Sequence, residues 1–318
     1  MDSSSGARLR LGQQVLVFAA LTVILSSAAG YVPVLGMFVS LLAPTPILLA
    51  VLRHGPRIGL LIVALATVAL SLLLGMQHSL LFFAEHGLMA MLMAEMLRRR
   101  QSVEKTLLAA TGASLLMSGL VLAVFLWSAQ LDLGAVRQHL EDSLSQAVGL
   151  YLGEGERASE AQLLLYIQGG LALVIRILPA LLVMSTAAGA VLNYSVARIL
   201  WGRLGGAPLF PATSLARWRA PEPCIWVLIA GGILSFLPIT VLQVVGLNVL
   251  LLMGFIYLIQ GLAITVFYVN KGSVPTMFRM LAYLFLCIQP LLLLGVAAFG
   301  LFDLWCDFRR LRHKREEP

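Results

Sequence analysis

The chain has 318 residues, 60% of them hydrophobic and only 12% charged, where a soluble domain carries roughly 25% charged residues. Its mean hydropathy is +0.93, which excludes a soluble globular protein and leaves a multi-pass helical membrane protein. The formal net charge is +7, but Lys and Arg stand in short clusters between apolar runs. That pattern marks membrane sidedness and excludes a nucleic-acid-binding surface.

Residues 11–29 form the first apolar run, behind a polar start that carries Arg8 and Arg10. The small residues at 26–30 resemble a cleavage site, but another span follows, so the expectation is an uncleaved first span with its N-terminus inside. Residues 34–52 form the second segment, broken by Pro44 and Pro46. Proline removes a backbone donor, so this segment is expected to be bent or discontinuous. After the basic turn Arg53 to Arg57, residues 58–76 and 79–97 make the third and fourth spans, and 106–127 the fifth. About 20 residues at 1.5 Å each cross a ~30 Å hydrocarbon core. The arginines at 98–100 then place that end of the fourth span in the cytoplasm.

Residues 129–160 are acidic, with apolar positions at 136, 140, 144 and 148. They read as an outer amphipathic helix and loop, either packed on the membrane surface or covering an outward-facing pocket. The run 166–200 is too long for one perpendicular span. Arg176 and Pro179 are expected to divide it, leaving 177–197 as the sixth span. Residues 201–223 form a Pro/Arg-rich cytoplasmic linker. Residues 224–245 and 247–269 then read as a hairpin, 281–302 as the last span, and 309–318 as a basic tail.

Parity fails at the end. Earlier basic clusters are separated by two spans, but one span separates Arg279 from the tail, so nine full spans would place the tail outside. Either one apolar segment is re-entrant, with the proline-broken second a candidate, or the tail is an exception. The count is eight or nine.

Ionisable residues inside spans are costly and point to function. Glu85 lies roughly 9 Å below the outer end of the fourth span. His86 adjoins it, His78 is on the outer turn, and Arg176 falls at similar depth. These four line a polar, outward-opening ligand pocket, or else Glu85 and Arg176 form an ion pair that holds helices together. Glu95 precedes Arg98 and Arg99 at helical ion-pair spacing. Asn193, Asn248, Gln168, Gln260 and Gln289 suit hydrogen bonds between helices, and the small-residue stripes suit close packing. Cys224, Cys287 and Cys306 lack metal-site spacing and read as free thiols. No GxSxG, HExxH or Walker lysine loop occurs, so neither catalysis, a cofactor nor a metal is expected.

The closing stretch, residues 300–310 (GLFDLWCDFRR), with YLIQGLA at 257–263 and LARWRAP at 215–221, resembles the YybS-like family of uncharacterised predicted bacterial membrane proteins. That resemblance covers nearly the whole chain and implies the bacterial cytoplasmic (inner) membrane. The first six segments, through PTPILLAVLRHGPRIGL at 44–60 and the glycine-containing fourth span, also resemble the substrate-binding (S) component of energy-coupling-factor transporters. This implies a six-segment S-component-like domain over residues 1–200, in an all-α chain whose remaining three segments form a C-terminal part over 224–308. It further implies an outward-facing small-molecule site and a partner, a membrane coupling subunit with ATPases. The chain departs from that pattern in its three added segments.

In the closing motif Asp303 and Asp307 lie one turn apart, Trp305 suits the interface, and Arg309 reaches head groups. The group is either an anchor in the lipid bilayer or a docking surface for a partner. Two functions stand: small-molecule binding or transport without chemistry, or a membrane scaffold or regulator that recruits a soluble cytoplasmic protein.

Overall fold

The computed structural model describes residues 3–32, 35–128, 157–211, 218–272 and 289–309, with a few isolated positions between them. Among these residues the secondary structure is helical throughout. Among the described residues seven helices are long and apolar enough to cross a membrane, and two shorter apolar helices accompany them. Large apolar side chains cover the outside, with Phe236 89%, Leu72 84% and Trp127 83% exposed. In water such a surface would drive association, so these faces belong against lipid. The expected amphipathic segment at 129–160 lies mostly outside the described residues, as do Cys287 and the tail beyond Arg309; Cys224 and Cys306 are free thiols.

Two compact units emerge: residues 1–171 with 185–211, and residues 172–184 with 212–318. In the first, α1 (Ser3–Tyr31) is followed by the short α2 (Leu35–Ser40), then α3 (Pro44–His54) and α4 (Pro56–Leu74). The fourth span consists of α5 (Met76–Phe82), a π-helical turn (Phe83–Gly87) and α6 (Leu88–Arg98), after which comes α7 (Val103–Ser128). The core is the interior of α3, where every residue from Pro44 to Val51 is buried. Ile62 and Ala66 of α4 and Met93, Ala94 and Leu97 of α6 pack in the same cluster.

The second segment is discontinuous, as its prolines predict. Pro46 has no N–H to give, and the Thr45 N–H bonds Leu42 O at 3.0 Å instead of continuing an α-helical register. The stranded Leu41 carbonyl is taken by Asn193, whose Nδ2 donates to it at 2.7 Å. The Thr45 hydroxyl in turn donates to Asn193 Oδ1 at 2.7 Å. At the arginine end of the fourth span Arg99 Nε donates to Glu95 Oε1 at 2.7 Å and Arg98 Nη1 lies 3.9 Å from Glu95 Oε2, as the spacing predicts.

The long run after residue 157 corrects the expectation. The helix α8 (Arg157–Arg203) is continuous through Pro179 rather than divided there. A proline at 179 has no N–H for the Ile175 carbonyl and crowds that turn, and the next pair along, the Ala180 N–H and the Arg176 carbonyl, bonds to a side chain of another helix. The amide of Asn248 reaches both groups: Ala180 N donates to its Oδ1 at 2.8 Å, and its Nδ2 donates to Arg176 O at 2.7 Å. A side-chain amide inserted into the ladder satisfies the freed groups and lets the helix run on. Replacing Asn248 with leucine should therefore cost roughly 1–2 kcal/mol of stability. The same replacement in a Pro179→Ala background should cost much less, because the helix can then close its own bond. A double-mutant cycle of thermal melts in detergent measures the difference; additive effects would refute the coupling.

Two further boundaries move. In the second unit α9 (Cys224–Phe236) ends at Leu237, extended as a residue before proline must be, and α10 (Thr240–Lys271) begins beyond Pro238. The expected turn at Gly246 is instead a contact point: a Cβ there would fall on Ser235 N, with the Gly231 carbonyl 2.7 Å away. The expected last span at 281–302 is also re-cut, since α11 (Pro290–Cys306) starts at a proline that suits a first helical turn. Gly261 of α10 and Gly300 of α11 bring the two backbones together, each facing the other helix's main chain at Val296 and Tyr257.

Candidate functional site

Two places gather polar groups, one in each unit. In the first unit the fourth span carries one π-helical turn over Phe83–Gly87. Such single-turn widenings inside α-helices leave backbone groups out of register and are frequent at functional sites. Leu88 N donates to Phe83 O across the turn. The Glu85 carbonyl accepts from Ser114 Oγ of α7 at 3.3 Å. That bond explains why Ser114 is almost fully buried. Gly87 admits close packing, since a Cβ there would approach Val63 to 3.0 Å.

Both candidate ligand residues of this span lie on the turn. The Glu85 side chain is exposed, and no hydrogen bond or ion pair among the described residues engages its carboxylate. The His86 ring packs 5.9 Å from that of Phe82, and its Nδ1 is buried without a hydrogen-bond partner. His78 belongs to α5, two helical turns before Glu85. Arg176 belongs to the second unit, where Asn248 holds its main-chain carbonyl and its side chain is exposed. Glu85, His86 and His78 thus share one span, and Arg176 is a residue of another element.

The second unit builds a denser cluster at the closing motif. The helix α11 ends where Asp307 adopts a left-handed conformation (φ 40°) and its N–H donates to Asp303 O at 3.1 Å. Aspartate tolerates this region better than most side chains. The turn carries the chain back so that Arg309 Nη2 reaches Asp303 Oδ2 at 2.8 Å. Both side chains are essentially excluded from solvent, 0% and 1% exposed. Gln260 of α10 donates from Nε2 to the same Oδ2 at 3.0 Å and accepts from Ala220 N at 3.0 Å. Arg219 Nη2 donates to Asp303 O at 2.9 Å, and Arg309 Nη1 donates to Trp218 O at 2.9 Å. Arg219 also stands 3.8 Å from the Asp307 carboxylate.

Asp303 is therefore a hub. It joins α10, α11, the turn after α11 and the last residues of the linker through charge-assisted bonds in a dry setting. Oδ2 takes both Gln260 and Arg309, whereas the second carboxylate oxygen, Oδ1, is buried without a hydrogen-bond partner; breaking the ion pair would strand a charge. Trp305 points away, 61% exposed. Of the four closing-motif residues marked in the sequence, Asp303, Asp307 and Arg309 come together and Trp305 does not join them. Gln260 and Arg219 complete the cluster. The sequence signal for them was their place inside YLIQGLA and LARWRAP, stretches that share the family resemblance with the closing motif. Among the described residues no group of three His, Cys, Asp or Glu side chains could hold a metal ion.

Comparison with known proteins agrees with this architecture. The family described as "Predicted membrane protein (DUF2232)" matches residues 20–304. A protein of Bacillus subtilis (strain 168), "Uncharacterized protein YybS", is 22% identical over 300 residues, covering 92% of this chain and 95% of its own. No solved structure matches the chain.

Proposed function

The chain belongs to this family of predicted membrane proteins, and from that premise we propose that it binds a small molecule in the membrane, without chemistry of its own. The observation that carries the reading is the π-helical turn of the fourth span, which presents an unengaged carboxylate at Glu85 beside the unpartnered Nδ1 of His86. An ionisable group kept inside a span without a partner needs a reason, and a ligand that donates hydrogen bonds supplies one. The Ser114 bond to the Glu85 carbonyl ties the turn to α7. On this reading the first unit acts in the manner of an energy-coupling-factor S component. Such a component would open outward and dock a membrane coupling subunit with ATPases in the bacterial inner membrane.

Thermal-shift measurement on the full-length protein in detergent, against a panel of water-soluble vitamins and amines, tests the site. A binder at about 100 times its Kd should stabilise by about 2.7 kcal/mol. Glu85→Gln should abolish that gain while leaving the unliganded melting temperature nearly unchanged. If Glu85→Gln and His86→Leu both keep the gain undiminished, the site is elsewhere.

A second reading rests on the second unit. There the Asp303 hub holds residues 218–220 of the linker against the closing motif and leaves Trp305 exposed. That arrangement suits a scaffold or regulator that offers a fixed surface to a soluble cytoplasmic partner. Loss of a co-purifying protein on Trp305→Ala, with ligand binding unaffected, would favour it.

A further inference from the structure

From the direction of two helices, we infer that the basic tail leaves the membrane on the same side as the Pro/Arg-rich linker. The second unit carries every observation the inference needs, and none depends on the ligand reading above. Helices α10 and α11 cross at Gly261 and Gly300, with Tyr257 and Gly261 of one against Val296 and Gly300 of the other. Further along both chains, Tyr268 Oη donates to Phe308 O at 2.7 Å. The glycine contacts, Gly261 on Val296 and Gly300 on Tyr257, mark one crossing point, and the Tyr268–Phe308 bond beyond it sets the direction: the two helices run the same way, toward the side of the Asp303 hub. An antiparallel pair meeting at Tyr257 and Gly300 would carry Phe308 roughly 28 Å from Tyr268 at 1.5 Å per residue, far beyond the reach of a hydrogen bond.

The linker ends at that same hub. Ala220 N is bonded to Gln260, Trp218 O to Arg309, and Arg219 to Asp303. The chain thus leaves the hub after Ala220, comes back toward it along α10, and reaches it again along α11. Ala220 and Arg309 are both bonded into the hub, so the end of the linker and the start of the tail lie on one side. The parity conflict then disappears: linker and tail are both basic, and both satisfy the positive-inside tendency on the cytoplasmic side.

The test reads sidedness on the full chain. In a background with its three cysteines replaced by serine, one cysteine is returned at Glu222→Cys or Pro318→Cys. A membrane-impermeant maleimide is then applied to sealed right-side-out and inverted vesicles. Both positions should label only in inverted vesicles, to at least tenfold over right-side-out. Labelling of the two from opposite faces would overturn the inference. The unmodified chain gives a second, independent reading should the serine background fail to fold. A C-terminal green-fluorescent fusion should fluoresce and a C-terminal alkaline phosphatase fusion should be inactive, and the reverse result would also overturn it.

Discussion

Replacing Asp303 with alanine should be the most damaging single polar change in the protein, costing about 3–5 kcal/mol. The carboxylate is the common acceptor of Gln260 Nε2 and Arg309 Nη2, and its main-chain carbonyl takes Arg219. Its removal leaves the Arg309 guanidinium, 0% exposed, without the charge that offsets its desolvation. Much of the loss is that stranded charge rather than the pair's net contribution. The replacement Asp303→Leu combined with Arg309→Met should therefore recover a large part of the stability that either change alone removes. Melting temperature and monodispersity of the full-length protein in detergent read the effect. The more exposed Arg219–Asp307 pair, 3.8 Å apart and 21% and 17% exposed, behaves differently. Substituting Asp307 should cost about 1 kcal/mol or less through that pair. An Asp303→Ala protein that melts within a degree of the parent would remove the hub from the account.

Gly300→Val should rank next. A Cβ at residue 300 would fall on the Tyr257 carbonyl, which is main chain and cannot swing aside as a side-chain end could. The helices must separate, which takes the Gln260–Asp303 bond with it, so the cost should reach the upper part of the 1–3 kcal/mol range for overpacking or exceed it. Gly261→Val meets the Val296 carbonyl and should behave alike. Gly254 and Gly295, on the same two helices, face open space. Their alanine variants should be tolerated, and a thermal melt of all four variants separates a specific crossing from a general intolerance of bulk. Equal destabilisation at the four positions would argue against the crossing.

These two expectations also mark where sequence reading succeeded and where it stopped. Hydropathy and proline located the first five segments, because span length and backbone donors are local properties. Glu95 was assigned from spacing alone, since its partners lie within one turn on the same helix. The break at Pro44 and Pro46 was legible, but its repair by Asn193 was not, since the two are 148 residues apart. Pro179 misled for the same reason. The amide that lets α8 continue arrives from Asn248, 68 residues further on. At Gly246 a glycine read as a turn is a packing surface, and Pro238 makes the turn. For the hub, the resemblance pointed to three stretches without showing that they meet. Glu85 and His86 were singled out by the cost of placing such groups in a span, and nothing local foretold the π-helical turn beneath them.

The two asparagine repairs have a consequence for how the protein is made. Ribosomes add roughly 5–20 residues per second. Leu41 and Thr45 therefore enter the membrane on the order of 10 s before Asn193, which stands 152 and 148 residues after them. For that interval the second segment holds a main-chain carbonyl without its eventual donor, in a solvent that offers none. Ala180 and Arg176 wait a shorter time for Asn248, 68 and 72 residues behind them. The newborn chain thus has to keep two half-finished segments near water or beside the insertion machinery until a later helix completes each. Helix α8 closes the first of these intervals and opens the second.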